Sequence, residues 1–282
     1  MIGGILTAMV TPFDRDGEVD EDATVRLIHH LLENGSDGLV ITGSTGEGAT
    51  LTDDEKARLW EIGVAESGDA PVIAGTGTYD TRHTVELTER AAEAGVDYAL
   101  VVTPYYVRPT PEGIKRHYQE AASVGLPIVT YNIPSRTATD MPNDLLAELA
   151  QIDNVVAVKQ ARYEDIAAID GMDLLAGNDD VFAQTLDAGG TGIISVASHL
   201  VGRELRREID EPERRHEIQN GLADVFEALT VTTNPIPVKA ALNLAGHEVG
   251  GLRLPLLEAS DEELAEIRSV LERVGLTEPA RV

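Results

Sequence analysis

Of the four lysines in this chain of 282 residues, Lys159 directly follows the apolar run Val155-Val-Ala-Val158. An amine at the end of a buried strand is partly desolvated, which lowers its pKa and frees the neutral form to attack a carbonyl. The competing reading is a strand-end lysine that snorkels to solvent or joins an ion pair. Tyr131 follows the preceding apolar run and offers a phenol that could exchange protons with that amine or with a carbinolamine oxygen. A core tyrosine with a satisfied hydroxyl is the plainer alternative. Ser44 and Thr45 stand between glycines in Gly43-Ser-Thr-Gly-Glu-Gly48, where two hydroxyls and backbone N–H groups suit a small carboxylate. An ordinary Gly-rich turn reads the same way. Arg136, two residues after Pro134, could clamp a second carboxylate bidentately, or simply decorate an acidic surface. Together these groups describe a class I, Schiff-base aldolase acting on a 2-oxo acid.

Other candidates carry less. Gly75-Thr-Gly77 lacks the third glycine and the spacing of a dinucleotide fingerprint. His29-His30 has no carboxylate or histidine partner at metal-ligand spacing and is expected to be a solvated or packed pair. Asp179-Asp180 opens a helical pattern, where capping is the default role. With no cysteine there is no disulfide framework, thiol nucleophile, zinc ribbon or iron–sulfur cluster. No metal and no cofactor are expected.

Such groups need elements to hold them. Eight short runs of β-branched and small apolar residues recur: Gly4 to Val10, Leu39 to Thr42, Pro71 to Ala74, Tyr98 to Val102, Leu126 to Thr130, Val155 to Val158, Leu174 to Ala176 and Gly192 to Val196. Runs of this length suit parallel strands buried on both faces. Between them lie amphipathic segments with entry signals, such as the capping-box spacing Thr52-Asp-Asp-Glu55 and the pair Thr110-Pro111. Glycines close several of them, at Gly35, Gly95 and Gly189. Eight strand–helix units predict an α/β protein, a (β/α)8 TIM barrel over residues 1–211. An open doubly wound sheet is the competing topology. From about residue 212 the strand signals stop. Glu213 to Leu229, Val238 to Ala245 and Asp261 to Val274 read as helices, so residues 212–282 are expected to form a C-terminal helical extension. In a (β/α)8 barrel the chemistry sits at the C-terminal ends of the strands, which is where every group of the first paragraph falls.

The formal net charge is −27, from 49 acidic and 22 basic side chains. A surface this acidic repels phosphate backbones and anionic lipid, so neither nucleic acid nor a membrane surface is an expected partner. The start of the chain lacks a basic n-region and soon meets Asp14 and Asp16, which does not read as a signal peptide. A cytoplasmic protein is expected.

The same residues carry a resemblance. Ala8-Met-Val-Thr-Pro12, Gly43-Ser-Thr-Gly-Glu47, Val102-Thr-Pro-Tyr-Tyr106, Tyr131-Asn-Ile-Pro-Ser-Arg-Thr137, Val158-Lys159, Gly192-Ile-Ile-Ser-Val196 and Asn234-Pro-Ile-Pro-Val-Lys239 occur in order along nearly the whole chain. The sequence resembles the dihydrodipicolinate synthase/N-acetylneuraminate lyase family, and its synthase branch most. The resemblance implies that Lys159 forms a Schiff base with pyruvate and that Tyr131 donates and accepts the proton. Ser44 and Tyr106 would complete a hydroxyl relay, Tyr106 reaching in from a neighbouring subunit. Thr45 and the backbone of Gly177 and Ile194 would hold pyruvate, and Arg136 the carboxylate of aspartate 4-semialdehyde. It implies a homotetramer built as a dimer of dimers, and a protomer nearly inactive on its own. Arg136 argues against the alternatives, an aldolase for neuraminate or 2-keto-3-deoxy-sugar acids, whereas Val107, where Asn is common, leaves them open. A silent barrel that only binds a 2-oxo acid would have no need of Lys159, Tyr131, Tyr106 and Ser44 together. Ser44 and Gln160 also depart from the usual Thr and Glu. At the positions of the family's lysine feedback site the chain has Gly48, Asp53, Lys56, Tyr79 and His83, so weak or absent inhibition by lysine is expected.

Overall fold

The computed structural model describes residues 1–277. Eight parallel strands close into a barrel: β1 (Gly4–Ala8), β2 (Gly38–Ile41), β3 (Val72–Gly75), β4 (Tyr98–Val102), β5 (Ile128–Asn132), β6 (Val155–Gln160), β7 (Asp173–Ala176) and β8 (Gly192–Ser195). All eight predicted strands form. The open-sheet alternative is excluded by pairing of β1 with β8, which aligns Leu6 with Ile194 and Thr7 with Ser195.

Strand alternation divides the core into two shells. Leu6, Val40, Ile73, Leu100, Val129, Ala157, Leu175 and Ile194 fill the barrel interior. Their strand neighbours Ile5, Leu39, Ile41, Val101, Ile128 and Val158 point outward into the layer beneath the helices. Tyr131 lies two residues beyond Val129, and Lys159 two beyond Ala157, so the period of two carries both side chains inward.

Several strand ends differ from the expected runs by one or two residues, and in β5 and β6 the difference matters. The run Leu126 to Thr130 starts two residues late, because Pro127 has no N–H to donate to a ladder; its carbonyl accepts from Ala99 instead. At their other ends β5 continues through Tyr131 and Asn132, and β6 through Lys159 and Gln160. Both reactive side chains stand on strands, with Tyr131 paired in register with Lys159.

The helices obey the local signals. Thr52 and Glu55 make a reciprocal capping box on helix Asp53–Glu66, and Thr110 caps helix Pro111–Ala122 with Pro111 in its first turn. Gly95 ends helix Thr81–Ala94 at φ 86°. The eighth barrel helix is Ser198–Asp210. The continuous helix expected over Glu213 to Leu229 is instead two, Arg215–Gly221 and Ala223–Ala228. The break falls after Gly221, a poor helix former, where the Leu222 N–H turns to the Gln219 carbonyl three residues back. Helices Ile236–Leu244 and Asp261–Val274 follow. The end of the predicted extension, residues 278–282, lies outside the described residues. Among the described residues no helix is long and apolar enough to cross a membrane.

Candidate active site

A cavity of about 630 Å³ opens at the C-terminal mouth of the barrel. Its walls include Ser44, Thr45, Tyr131, Arg136, Lys159 and Gly177. Six of the eight residues singled out from sequence thus meet in one place, from β2, β5, β6, β7 and the loops that follow them.

Lys159 is 5% exposed, with its Nζ 4.5 Å from the centre of the Tyr131 ring. Burial lowers its pKa to about 8; the Asp179 carboxylate pulls upward, and Arg136 pushes further down. The snorkelling alternative fails on this geometry, since the amine is enclosed. Burial raises the Tyr131 phenol to about 12, with Arg136 acting against it. At neutral pH the site therefore holds an amine with an accessible neutral form beside a phenol that keeps its proton. This is the state needed for attack on a carbonyl and protonation of the resulting oxygen.

The loop after β2 presents Ser44 to solvent and buries Thr45. The Thr45 hydroxyl accepts from Asn234 Nδ2 at 2.9 Å. Arg136 lies in the short helix Pro134–Thr137 after β5, and its Nη2 donates to the Asn234 carbonyl at 3.0 Å. One asparagine from the C-terminal segment therefore touches both carboxylate-binding candidates. In the sequence Asn234 stands only within the run Asn234-Pro-Ile-Pro-Val-Lys239, and nothing local ties it to residues 45 and 136.

The remaining residues stand differently. Tyr106 is 89% exposed at φ 70° and does not line the cavity of its own chain. Ile194 is fully enclosed in the barrel interior and is not among the cavity walls. Gly177 lines the cavity, but its N–H is committed to the Gln160 carbonyl at 2.7 Å.

Asp179 corrects the capping reading. Its carboxylate turns away from its own helix and accepts from Ser195 Oγ at 2.5 Å and from the Val196 and Ala197 N–H groups at 3.2 and 3.0 Å. It thereby fixes the turn after β8 beside the Lys159 amine. Burial pushes its carboxyl up, against these donors and the Lys159 charge. The signal available in sequence was its position two residues past Gly177 at a strand end.

A second cavity, about 560 Å³, shares Ser44, Tyr131 and Arg136 with the first and continues past Gly48, Asp53, Lys56, Tyr79 and His83. Both of its carboxylates are engaged: Asp53 by His83 Nε2 at 2.9 Å, with Lys56 Nζ 3.7 Å away, and Glu47 by Lys239 Nζ at 2.8 Å.

Comparison with known proteins agrees with this geometry. The model of the dihydrodipicolinate synthetase family matches residues 1–274. The 4-hydroxy-tetrahydrodipicolinate synthase of Heliobacterium modesticaldum is 46% identical, covering 97% of this chain and 96% of that protein. The synthase from Cyanidioschyzon merolae, solved with lysine bound, superposes with a TM-score of 0.94 at 38% identity, covering 97% of this chain and 98% of that one. The chloride-inhibited synthase from Acinetobacter baumannii, solved with pyruvate, also gives a TM-score of 0.94, at 34% identity, covering 98% of this chain and the whole of that one. With an enclosed lysine at its barrel mouth and a family model and relatives that match nearly its whole length, the chain belongs to the dihydrodipicolinate synthetase family of lyase-type enzymes.

Proposed function

We infer that the chain is a 4-hydroxy-tetrahydrodipicolinate synthase, condensing pyruvate with L-aspartate 4-semialdehyde in the formation of diaminopimelate and lysine. The observation that carries this reading is the enclosed Lys159 amine against Tyr131, in one cavity with Ser44, Thr45 and Arg136. The neutral amine adds to C2 of pyruvate, and Tyr131 protonates the oxygen of the carbinolamine. Loss of water leaves the protonated imine. The Tyr131 phenolate left by that transfer takes a methyl proton from the imine to give the enamine. The enamine carbon bonds to the aldehyde carbon of the second substrate as Tyr131 returns the proton to the aldehyde oxygen. The amino group of that substrate then displaces Lys159 and closes the ring. The protonated imine is itself the electron sink, so this scheme calls on no metal or cofactor.

Thr45 and Ser44 hold the pyruvate carboxylate, helped by backbone near Gly177 and Ile194. The proton relay runs through Ser44 and a Tyr106 supplied by a neighbouring copy. The outward placement of Tyr106 supports a shared site, in a homotetramer built as a dimer of dimers. Mass measurement after incubation with pyruvate and borohydride tests the reading. An adduct on Lys159 is expected, and its absence, or an adduct elsewhere, overturns it. Turnover with aspartate 4-semialdehyde, and none with neuraminate or 2-keto-3-deoxygluconate, separates this activity from sugar-acid aldolases.

Arg136 provides the carboxylate clamp for the second substrate. The variant Arg136→Ala is expected to keep the pyruvate adduct while KM for the aldehyde rises ~10- to 100-fold, the worth of one charge-assisted hydrogen-bonded pair. Steady-state kinetics with each substrate varied in turn checks this; an equal loss for both substrates would remove Arg136 from that role.

Free lysine is expected to inhibit weakly or not at all. The second cavity already contains the Lys56 ammonium, and its Asp53 carboxylate is engaged by His83. An incoming diamino acid would meet a like charge with no free carboxylate to offset it. Titration with millimolar L-lysine is the measurement, and strong inhibition would contradict the argument.

A further inference from the structure

We propose that the buried Glu47–Lys239 pair is a positioning device: it fixes the loop bearing Ser44 and Thr45 to the C-terminal helices and thereby sets the affinity of the site for its 2-oxo acid. The proposal rests on the functional reading above and extends it to residues outside the cavity that binds pyruvate.

The loop is not self-supporting. Thr42 at φ 60° and Glu47 at φ 53° bracket it, both non-glycine residues in the left-handed region. Around Ser44 and Thr45 its internal backbone bonds run from Glu47 N–H to the Ser44 carbonyl at 3.2 Å and from Gly48 N–H to the Gly43 carbonyl at 3.1 Å. A side chain at Gly48 would put Cβ 2.1 Å from the Thr42 carbonyl oxygen, so the turn is also tightly folded on itself. Such a conformation persists only where its surroundings hold it.

The surroundings are supplied by distant residues. Glu47 and Lys239 side chains are each 1% exposed, and Lys239 Nζ donates to Glu47 Oε1 at 2.8 Å. The same ammonium donates to the Gly251 carbonyl at 2.5 Å and lies 4.2 Å from the Phe13 ring centre. The second oxygen, Glu47 Oε2, accepts the Arg253 N–H at 3.0 Å. Helix Ile236–Leu244 carries Lys239, and five residues earlier Asn234 binds the Thr45 hydroxyl. One segment therefore grips the loop twice, once at its buried carboxylate and once at a substrate-binding hydroxyl. A buried ion pair adds little net stability over an apolar pair of the same shape, but its geometry is directional. That property suits a part whose task is to place two hydroxyls.

The test compares Glu47→Gln, which keeps the shape, with the double variant Glu47→Gln/Lys239→Met, which leaves no buried charge unpaired. Leu205→Ala, a core truncation in helix Ser198–Asp210, serves as a control for lost stability alone. In both loop variants the Lys159 adduct should still be trapped at saturating pyruvate. KM for pyruvate should rise about tenfold, as expected when binding groups shift by a fraction of an ångström. KM for the aldehyde should change less than twofold. The control should melt earlier with KM for pyruvate unchanged. Unchanged KM for pyruvate in folded loop variants overturns the proposal, as does failure of both to fold, which would make the pair a folding element only. A wild-type protein that forms no pyruvate adduct would instead overturn the functional reading.

Discussion

Replacing Lys159 by Met will abolish the borohydride-trapped pyruvate adduct and lower turnover by ~10⁴-fold, the scale of losing a covalent nucleophile. The same change will make the protein more stable at neutral pH. The amine's pKa falls from 10.5 to about 8 on burial, so folding disfavours its charged form. Below pH 8 the lysine is protonated in both folded and unfolded chains, and the fold carries the whole cost of that burial, about 3 kcal/mol. Between pH 8 and 10.5 the unfolded chain binds more protons, so wild-type stability rises with pH and the advantage of the variant shrinks. Denaturant unfolding of both proteins at pH 7 and pH 10 gives the two differences. A variant less stable than wild type at pH 7 would mean that Asp179 more than offsets the desolvation. In the wild type, kcat/KM for pyruvate should fall about tenfold per pH unit below pH 8, because only the neutral amine attacks.

Tyr131→Phe is the second large effect. The ring stays buried and packed, so the fold should hold, while turnover falls ~10²- to 10⁴-fold with loss of the proton donor. The adduct should still form, but slowly, since dehydration of the carbinolamine loses its acid. The phenol is held protonated up to about pH 12, so wild-type activity should show no loss from its ionisation at ordinary pH. Rapid-quench trapping with borohydride over time, beside steady-state kinetics, checks this. A variant retaining a tenth of wild-type kcat would show that another group carries the proton.

The two residues behind these effects were legible because their signals are local. An apolar run followed by one of only four lysines, and another followed by Tyr131, marks two strand ends whatever the rest of the chain does. Consecutive parallel strands are neighbours in a barrel, so β5 and β6 had to bring Tyr131 and Lys159 side by side. Capping signals such as Thr52 with Glu55 were likewise readable, since each acts within one turn of helix. Helix continuity over Glu213 to Leu229 was not, because the break at Leu222 lies inside a pattern that remains amphipathic.

What the amino-acid order determined by itself was the alternation of strand and helix, the inward period of two, and so the chemistry at the barrel mouth. Only the tertiary structure decided which distant groups tune and hold that chemistry. Asp179 reaches the turn after β8, Asn234 the Thr45 hydroxyl, and Lys239 the Glu47 carboxylate; the last two contacts span 189 and 192 residues. No local pattern records such pairs. They exist because closure of β1 onto β8 returns the end of the chain to its beginning, and burial there requires each polar group to be hydrogen-bonded within the protein.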